Sequence, residues 1–266
     1  FIQVNQKNVS GIISTDNFVI SKRVTIKNVE FTLVNKEDNI RYLYPDGVIG
    51  LNLNNYKEQN NFIHQLLTQK IISSPKFAFY LSDSSRDSNL ILDDITKTPV
   101  FDKIHKSMGF CNVPKSRDSW TCDLDSVSVG TNELPMKSKI LFDTSANFIK
   151  IPVLDFKELH PYLIKGINTK CEVNSFNQLV CQCASPKIFP KLKLRINGND
   201  IRIRDIIEYN PNEEFQCQFQ IEISTEIYDT WVLGYSGIQG MLLAFDMNKR
   251  TIGFTQEIEQ FPINLS

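Results

Sequence analysis

The 266-residue sequence predicts a mostly β protein with a few short helices, folded as two barrel-like lobes. Strand signals dominate. Residues 18–20, 24–26, 29–33, 77–81 and 192–196 alternate in polarity or collect β-branched and aromatic side chains, and Asn, Asp, Gly and Ser turns separate them. Helical spacing recurs in only two short segments, too few for a parallel α/β fold. A weak internal echo points to the two lobes. Asp46-Gly47-Val48-Ile49-Gly50-Leu51 and Thr230-Trp231-Val232-Leu233-Gly234-Tyr235 each set two branched apolar residues before a Gly in a predicted strand, where the missing side chain admits another backbone.

The first helix is read over residues 61–69, with Phe62, Ile63, Leu66 and Leu67 at helical spacing. The second, over residues 154–167, follows Pro152 and sets Leu154, Phe156, Leu159, Tyr162 and Leu163 along one side. Residues 82–88 are the most loop-like stretch, and no Gly/Ser linker or low-complexity tract appears. The length suits one large lobe or two small ones.

Composition narrows the function. With 29 basic and 30 acidic residues the net charge is −1, which removes the basic footprint of a nucleic-acid binder or a polybasic membrane-surface protein. Runs such as 139–142 and 231–233 fall far short of the roughly 20 apolar residues of a membrane span. The opening Phe1-Ile2-Gln3-Val4-Asn5 shows no signal peptide and reads like the middle of a strand, so a processed or truncated chain is expected.

The six cysteines include no Cys-x-x-Cys pair, Cys181-Gln182-Cys183 is too tight for the usual zinc sites, and no His lies nearby. Disulfides are therefore expected rather than a metal, which implies an oxidising compartment. The sequons at Asn8 and Asn264 are glycosylation candidates consistent with secretion. His64, His105 and His160 are scattered and read as satisfied or solvated histidines, so neither a metal site nor a Ser-His-Asp arrangement is expected, and no cofactor is implied. Ser236-Gly237 lacks a Gly-x-Ser-x-Gly frame. Lys187, Lys191, Lys193, Arg195, Arg202 and Arg204 read as one solvated face of a hairpin, and Trp120 and Trp231 as core.

Chemistry concentrates at Lys139-Ile140-Leu141-Phe142-Asp143-Thr144-Ser145-Ala146-Asn147. An apolar strand runs straight into a carboxylate followed by hydroxyl residues. A carboxylate emerging from a buried strand, with hydroxyls and amides around it, suits general acid or base work. The same local pattern also fits an Asp that caps a strand-end turn.

This segment resembles the second catalytic motif of pepsin-like aspartic peptidases, apolar-apolar-Asp-Thr/Ser-Gly. The resemblance covers nearly the whole chain in family order: Val9-Ser10-Gly11-Ile12-Ile13 is similar to the strand leaving the flap, and Tyr44-Pro45-Asp46-Gly47-Val48-Ile49-Gly50-Leu51 to the family's Phe-Asp-Gly-Ile-Leu-Gly-Leu. Phe62-Ile63-His64-Gln65-Leu66, Phe77-Ala78-Phe79-Tyr80-Leu81, Ser119-Trp120-Thr121-Cys122, Asp143-Thr144-Ser145, Leu194-Arg195-Ile196-Asn197-Gly198, Trp231-Val232-Leu233-Gly234 and Phe245-Asp246-Met247-Asn248 follow. The resemblance implies a bilobal pepsin-like double β-barrel with an incomplete N-terminal lobe: residues 1–104 as the remainder of that lobe from the flap onward, and 105–266 as the C-terminal lobe. It also implies a Cys183–Cys217 disulfide, leaving Cys171–Cys181 and Cys111–Cys122 as local pairs.

The family's mechanism takes one Asp from each lobe, sharing a proton and a water. The resemblance assigns Asp143 the C-lobe role, Thr144, Ser145 and Gly234 its support, and Val4, Asn5, Trp120 and Val232 the flap and substrate cleft. A first Asp-Thr-Gly is absent: Asp46 stands at a structural Asp-Gly, and Asp93-Asp94 where the family has Gly-Gly. The flap Tyr aligns with Val4, and Ser145 replaces the motif Gly, where a side chain is expected to reposition Asp143. The expectation is an aspartic endopeptidase of the secretory, extracellular or lysosomal/vacuolar route, acting on peptide or protein substrates. This chain alone is expected to be inactive, completed by an upstream segment that carries the first Asp. The alternative is a catalytically silent pepsin-like module that binds a peptide or protein.

Overall fold

The computed structural model describes residues 2–4, 7–21, 24–37, 47–53, 61–82, 88–98, 108–167, 170–204, 206–210 and 216–255. Its first sheet is a long hairpin, β2 (Lys7–Ser21) with β3 (Val24–Glu37), edged by β1 (Ile2–Val4). The three sequence-predicted strands between residues 18 and 33 lie within these two long ones. One side of the hairpin is anchored by Ile26 and Val29, both buried, with Phe18 against Phe31.

Helix α1 (Phe62–Thr68) starts where Asn61 accepts the Ile63 amide, and buries Phe62, Ile63 and Leu66. It is fastened to β3 by two glutamines one turn apart. Gln65 exchanges hydrogen bonds with the Glu30 main chain, and Gln69 with that of Lys27, each side chain standing in for a neighbouring strand.

A five-stranded sheet runs β5-β4-β18-β19-β6, built from β4 (Lys76–Tyr80), β5 (Asn89–Leu92), β6 (Met108–Asn112), β18 (Leu242–Asp246) and β19 (Thr251–Thr255). Strands from residues 76–112 and 242–255 thus share one sheet, with Phe77 opposite Phe245 and their rings stacked at 4.8 Å.

The largest sheet holds eleven strands. Its main path is β11 (Cys171–Val173), β12 (Gln178–Gln182), β16 (Gln216–Ser224), β10 (Ile149–Pro152), β17 (Thr230–Leu233), β9 (Lys139–Phe142), β7 (Thr121–Val129), β13 (Leu192–Ile196) and β14 (Asn199–Arg202). Two short strands flank this path: β8 (Asn132–Pro135) pairs with β7, and β15 (Ile207–Asn210) with β16. Helix α2 (Val153–Leu163) packs Phe156, Leu159 and Leu163 onto it. Disulfides join Cys111 to Cys122, Cys171 to Cys181 and Cys183 to Cys217.

The mostly β prediction holds, but the sheets are open, with no closed barrel among the described residues. The second helix runs through Pro161 and stops at Leu163, short of residue 167, with Gly166 turning the chain at φ 75° just beyond it. The expected strand is not formed over residues 47–51. Residues 47–50 run irregularly, with Val48 and Ile49 56% and 51% exposed, since no neighbouring strand among the described residues offers them hydrogen bonds. The basic hairpin is a solvated ion network, in which Asp200 pairs with both Lys193 and Arg195, and Arg195 also with Glu133.

Asp93 occupies a left-handed position (φ 80°) and accepts the amides of Ser73, Ser74 and Asp94 as well as both serine hydroxyls. Partial burial works against the charge, but the Ser74 hydroxyl and these other donors outweigh it and hold the Asp93 carboxyl well below the usual carboxylate range. A depressed carboxyl stabilises the fold fully above its unfolded pKa and loses that contribution as pH falls toward the folded value. Asp93→Asn, which tolerates the same φ, is expected to cost about 1–3 kcal/mol at pH 6–7. The gap to wild type should narrow progressively below about pH 4. Urea unfolding at pH 7, 5 and 3 checks it, and a difference that does not vary with pH contradicts it.

Candidate active site

Strand β9 is interior to the sheet, flanked by β7 and β17, with Ile140 and Phe142 buried in the core and Leu141 half-buried on the other face. It runs parallel to β17, pairing Ile140 with Trp231, Leu141 with Val232 and Phe142 with Leu233. The next strand, β10, lies on the far side of β17. The connection, residues 143–148, must therefore cross over the end of β17, and the residue beneath that crossing is Gly234. A Cβ there would lie 2.3 Å from the Phe148 carbonyl oxygen and 2.6 Å from that of Ala146.

Main-chain bonds fix the crossing. The Asp143 amide donates to the Leu233 carbonyl at 3.2 Å, the Tyr235 amide to Ala146 at 2.7 Å and the Ser236 amide to Asn147 at 3.1 Å. Tyr235 and Ser236 open the short helix α3 (Tyr235–Ile238). Below the loop, the Phe142 amide donates to the Trp120 carbonyl. At the start of α2, Asp155 accepts both the Trp231 indole N–H (2.7 Å) and the Ser138 hydroxyl (2.5 Å), which ties β17 to α2 at the end of the strands away from Asp143.

Asp143 emerges half-buried at the first position of this loop. Its Oδ1 accepts the Ser145 amide at 2.9 Å and the Ser145 hydroxyl at 2.6 Å. Thr144 is exposed, and among the described residues its hydroxyl has no hydrogen-bond partner. The loop can therefore present a carboxylate and a free hydroxyl at a rigid corner, which suits proton exchange with a water or with a second carboxyl.

Other expected site residues fall elsewhere. Trp120 is in the core at 5% exposure, its ring 4.8 Å from that of Phe245 and its Nε1 donating to the Leu51 carbonyl, and Val232 is buried at 6%. Trp120 is thus core, as its residue type suggests, and Val232 is buried because β17 is interior to the sheet. Val4 lies in β1. Asn5, His105 and Asn264 lie outside the described residues. Asn8 lies in β2. Asp93 and Asp94 are committed to Ser73, Ser74, Thr96 and Lys76. Among the described residues no cluster of three His, Cys, Asp or Glu is placed to hold a metal. The amides of Tyr235 and Ser236 and the carbonyl of Trp120 escaped sequence reasoning, since main-chain groups carry no side-chain signature.

The model of the family "Eukaryotic aspartyl protease" matches residues 1–257. A probable vacuolar protease A of Trichophyton verrucosum is 22% identical over 266 residues, covering 96% of this chain and 63% of that protein. Vacuolar protease A of Aspergillus fumigatus is 23% identical over 209 residues, 76% of this chain and 50% of the relative. Renin of Ovis aries is 22% identical over 199 residues, 71% of this chain and 48% of that protein. The chain thus spans at most 63% of the length of these three relatives. With a family-wide match over almost all of its residues, and an Asp at the end of an apolar strand braced by a Gly-bearing neighbour, this chain belongs to the eukaryotic aspartyl protease family.

Proposed function

We propose that this chain is the larger part of an aspartic endopeptidase and supplies one of its two catalytic carboxylates, Asp143. The observation that carries the reading is the Asp143 loop, held over Gly234 by main-chain bonds to the β17–α3 corner. In the reaction, the water oxygen bonds to the scissile carbonyl carbon as one ionised carboxylate takes the water's proton. The protonated partner carboxyl gives its proton to the carbonyl oxygen. Thr144, whose hydroxyl has no partner among the described residues, would brace the matching loop of the other lobe.

That partner carboxylate would come from polypeptide outside these 266 residues, since no apolar-apolar-Asp-Thr/Ser-Gly run occurs in them and the Asp143 run itself carries Ser145 in place of Gly. Exposed apolar side chains support such a completing segment: Ile12, Ile13, Val19 and Ile20 on β2, Leu33 and Val34 on β3, and Val48 and Ile49 beyond them. In this reading residues 1–104 belong to the N-terminal lobe and 105–266 to the C-terminal lobe, with the five-stranded sheet shared between them. Peptide or protein substrate would lie extended across the cleft, with β1 and β2 forming the flap. Three disulfides and the vacuolar relatives favour the secretory pathway or vacuole.

Ser145, Ala146 and Asn147 depart from the family motif and favour the second reading, a silent peptide-binding module. A peptide-library assay at acid pH separates the two. Hydrolysis is expected from the chain joined to its N-terminal completing segment and not from the 266 residues alone. A joined protein that binds library peptides without cleaving them overturns the enzyme reading.

A further inference from the structure

We propose that Ser145 is a positioning residue for Asp143, its hydroxyl fixing which carboxylate oxygen faces the reacting groups; the inference rests on Asp143 being a reacting carboxylate. Two donors from one residue meet the same oxygen. The Ser145 amide reaches Oδ1 at 2.9 Å, a contact that any residue at this position can supply. The hydroxyl reaches it at 2.6 Å, a contact open only to Ser or Thr among small residues. The family's Gly provides the first bond and not the second.

Ser145 is not among the residues with positive φ, so its backbone does not require Gly, and its side chain bonds the Asp143 carboxylate directly. The Asp143 main chain is separately tied to Leu233 and Ala146. With the backbone fixed and Oδ1 doubly bonded, rotation about the carboxyl torsion is restrained. Among the described residues Oδ2 has no hydrogen-bond partner, and it becomes the oxygen available to exchange a proton with the attacking water. A turn that only capped its own strand would need the amide bond alone.

In the joined protein, Ser145→Ala and Ser145→Gly are each expected to lower kcat about tenfold with KM within twofold, since a bond to a charged group is lost while the substrate contacts stay. Ser145→Thr should retain at least half of kcat. The Ala variant should unfold within about 2 °C of wild type, as exposed substitutions do. Wild-type kcat in the Ala variant, or a Thr variant as impaired as Ala, overturns the proposal. Asp143→Asn in the same assay keeps the two ideas apart. If it leaves hydrolysis intact, the reading of Asp143 fails; if it removes hydrolysis while Ser145→Ala does not, only the Ser145 role fails. A second measurement needs no catalysis. In the 266-residue chain labelled with 13C-aspartate, the Asp143 Cγ resonance should move in Ser145→Ala and stay in place in Ser145→Thr, and an unmoved resonance in the Ala variant overturns the proposal.

Discussion

Asp143→Asn is expected to lower peptide hydrolysis by the joined protein by about 10²–10⁴-fold, the range for loss of a positioned acid or base. The amide keeps the size and planar shape of the carboxyl, and its oxygen can still accept from the Ser145 amide and hydroxyl, so the turn has no reason to open. What it cannot do is take up the water's proton. Folding should therefore stay within about 0.5 kcal/mol of wild type. Steady-state kinetics at acid pH, together with thermal unfolding, would show a large kinetic loss and an unchanged midpoint. Hydrolysis that survives the substitution would assign the chemistry elsewhere.

Gly234→Ala is the second large effect. Its Cβ would meet two backbone carbonyl oxygens at 2.3 and 2.6 Å, and neither can swing away as a side-chain end would. The Ala146 carbonyl is held by the Tyr235 amide, and the Asn147 carbonyl beside it by the Ser236 amide. Relief must break these bonds and lift residues 143–148. The expected cost is about 3 kcal/mol, at the upper end for inserting a single methyl. That corresponds to a midpoint lowered by about 6–12 °C. Activity should fall with it, because Asp143 sits on the loop that lifts. Gly50 is the internal control: it ends the echoing sequence, yet a Cβ there meets nothing within 4 Å. Gly50→Ala in the 266-residue chain should be neutral within about 0.5 kcal/mol. Equal effects at the two glycines would contradict the account.

The contrast between these glycines marks how far the sequence could be read. Gly50 and Gly234 have similar local signatures, two branched apolar residues and then Gly. Only β17 became a strand, because β9 and β10 stand on either side to take its hydrogen bonds. Residues 47–50 have no such neighbours among the described residues, and Val48 and Ile49 stay exposed. Local pattern records the wish to be a strand; pairing decides it.

The sequence alone determined the mostly β class, the helices starting near Asn61 and Pro152, and Asp143 as the residue where an apolar strand meets polar chemistry. Those are short-range properties, set by periodicity, capping and residue type. Tertiary structure decided that β17 would slide between two consecutive strands, that the Asp143 loop would therefore cross over Gly234, and that Ser145 would turn its hydroxyl onto the carboxylate. These depend on contacts between residues about ninety positions apart, or on the direction of one side chain in a fixed turn. Neither leaves a periodic trace along the chain.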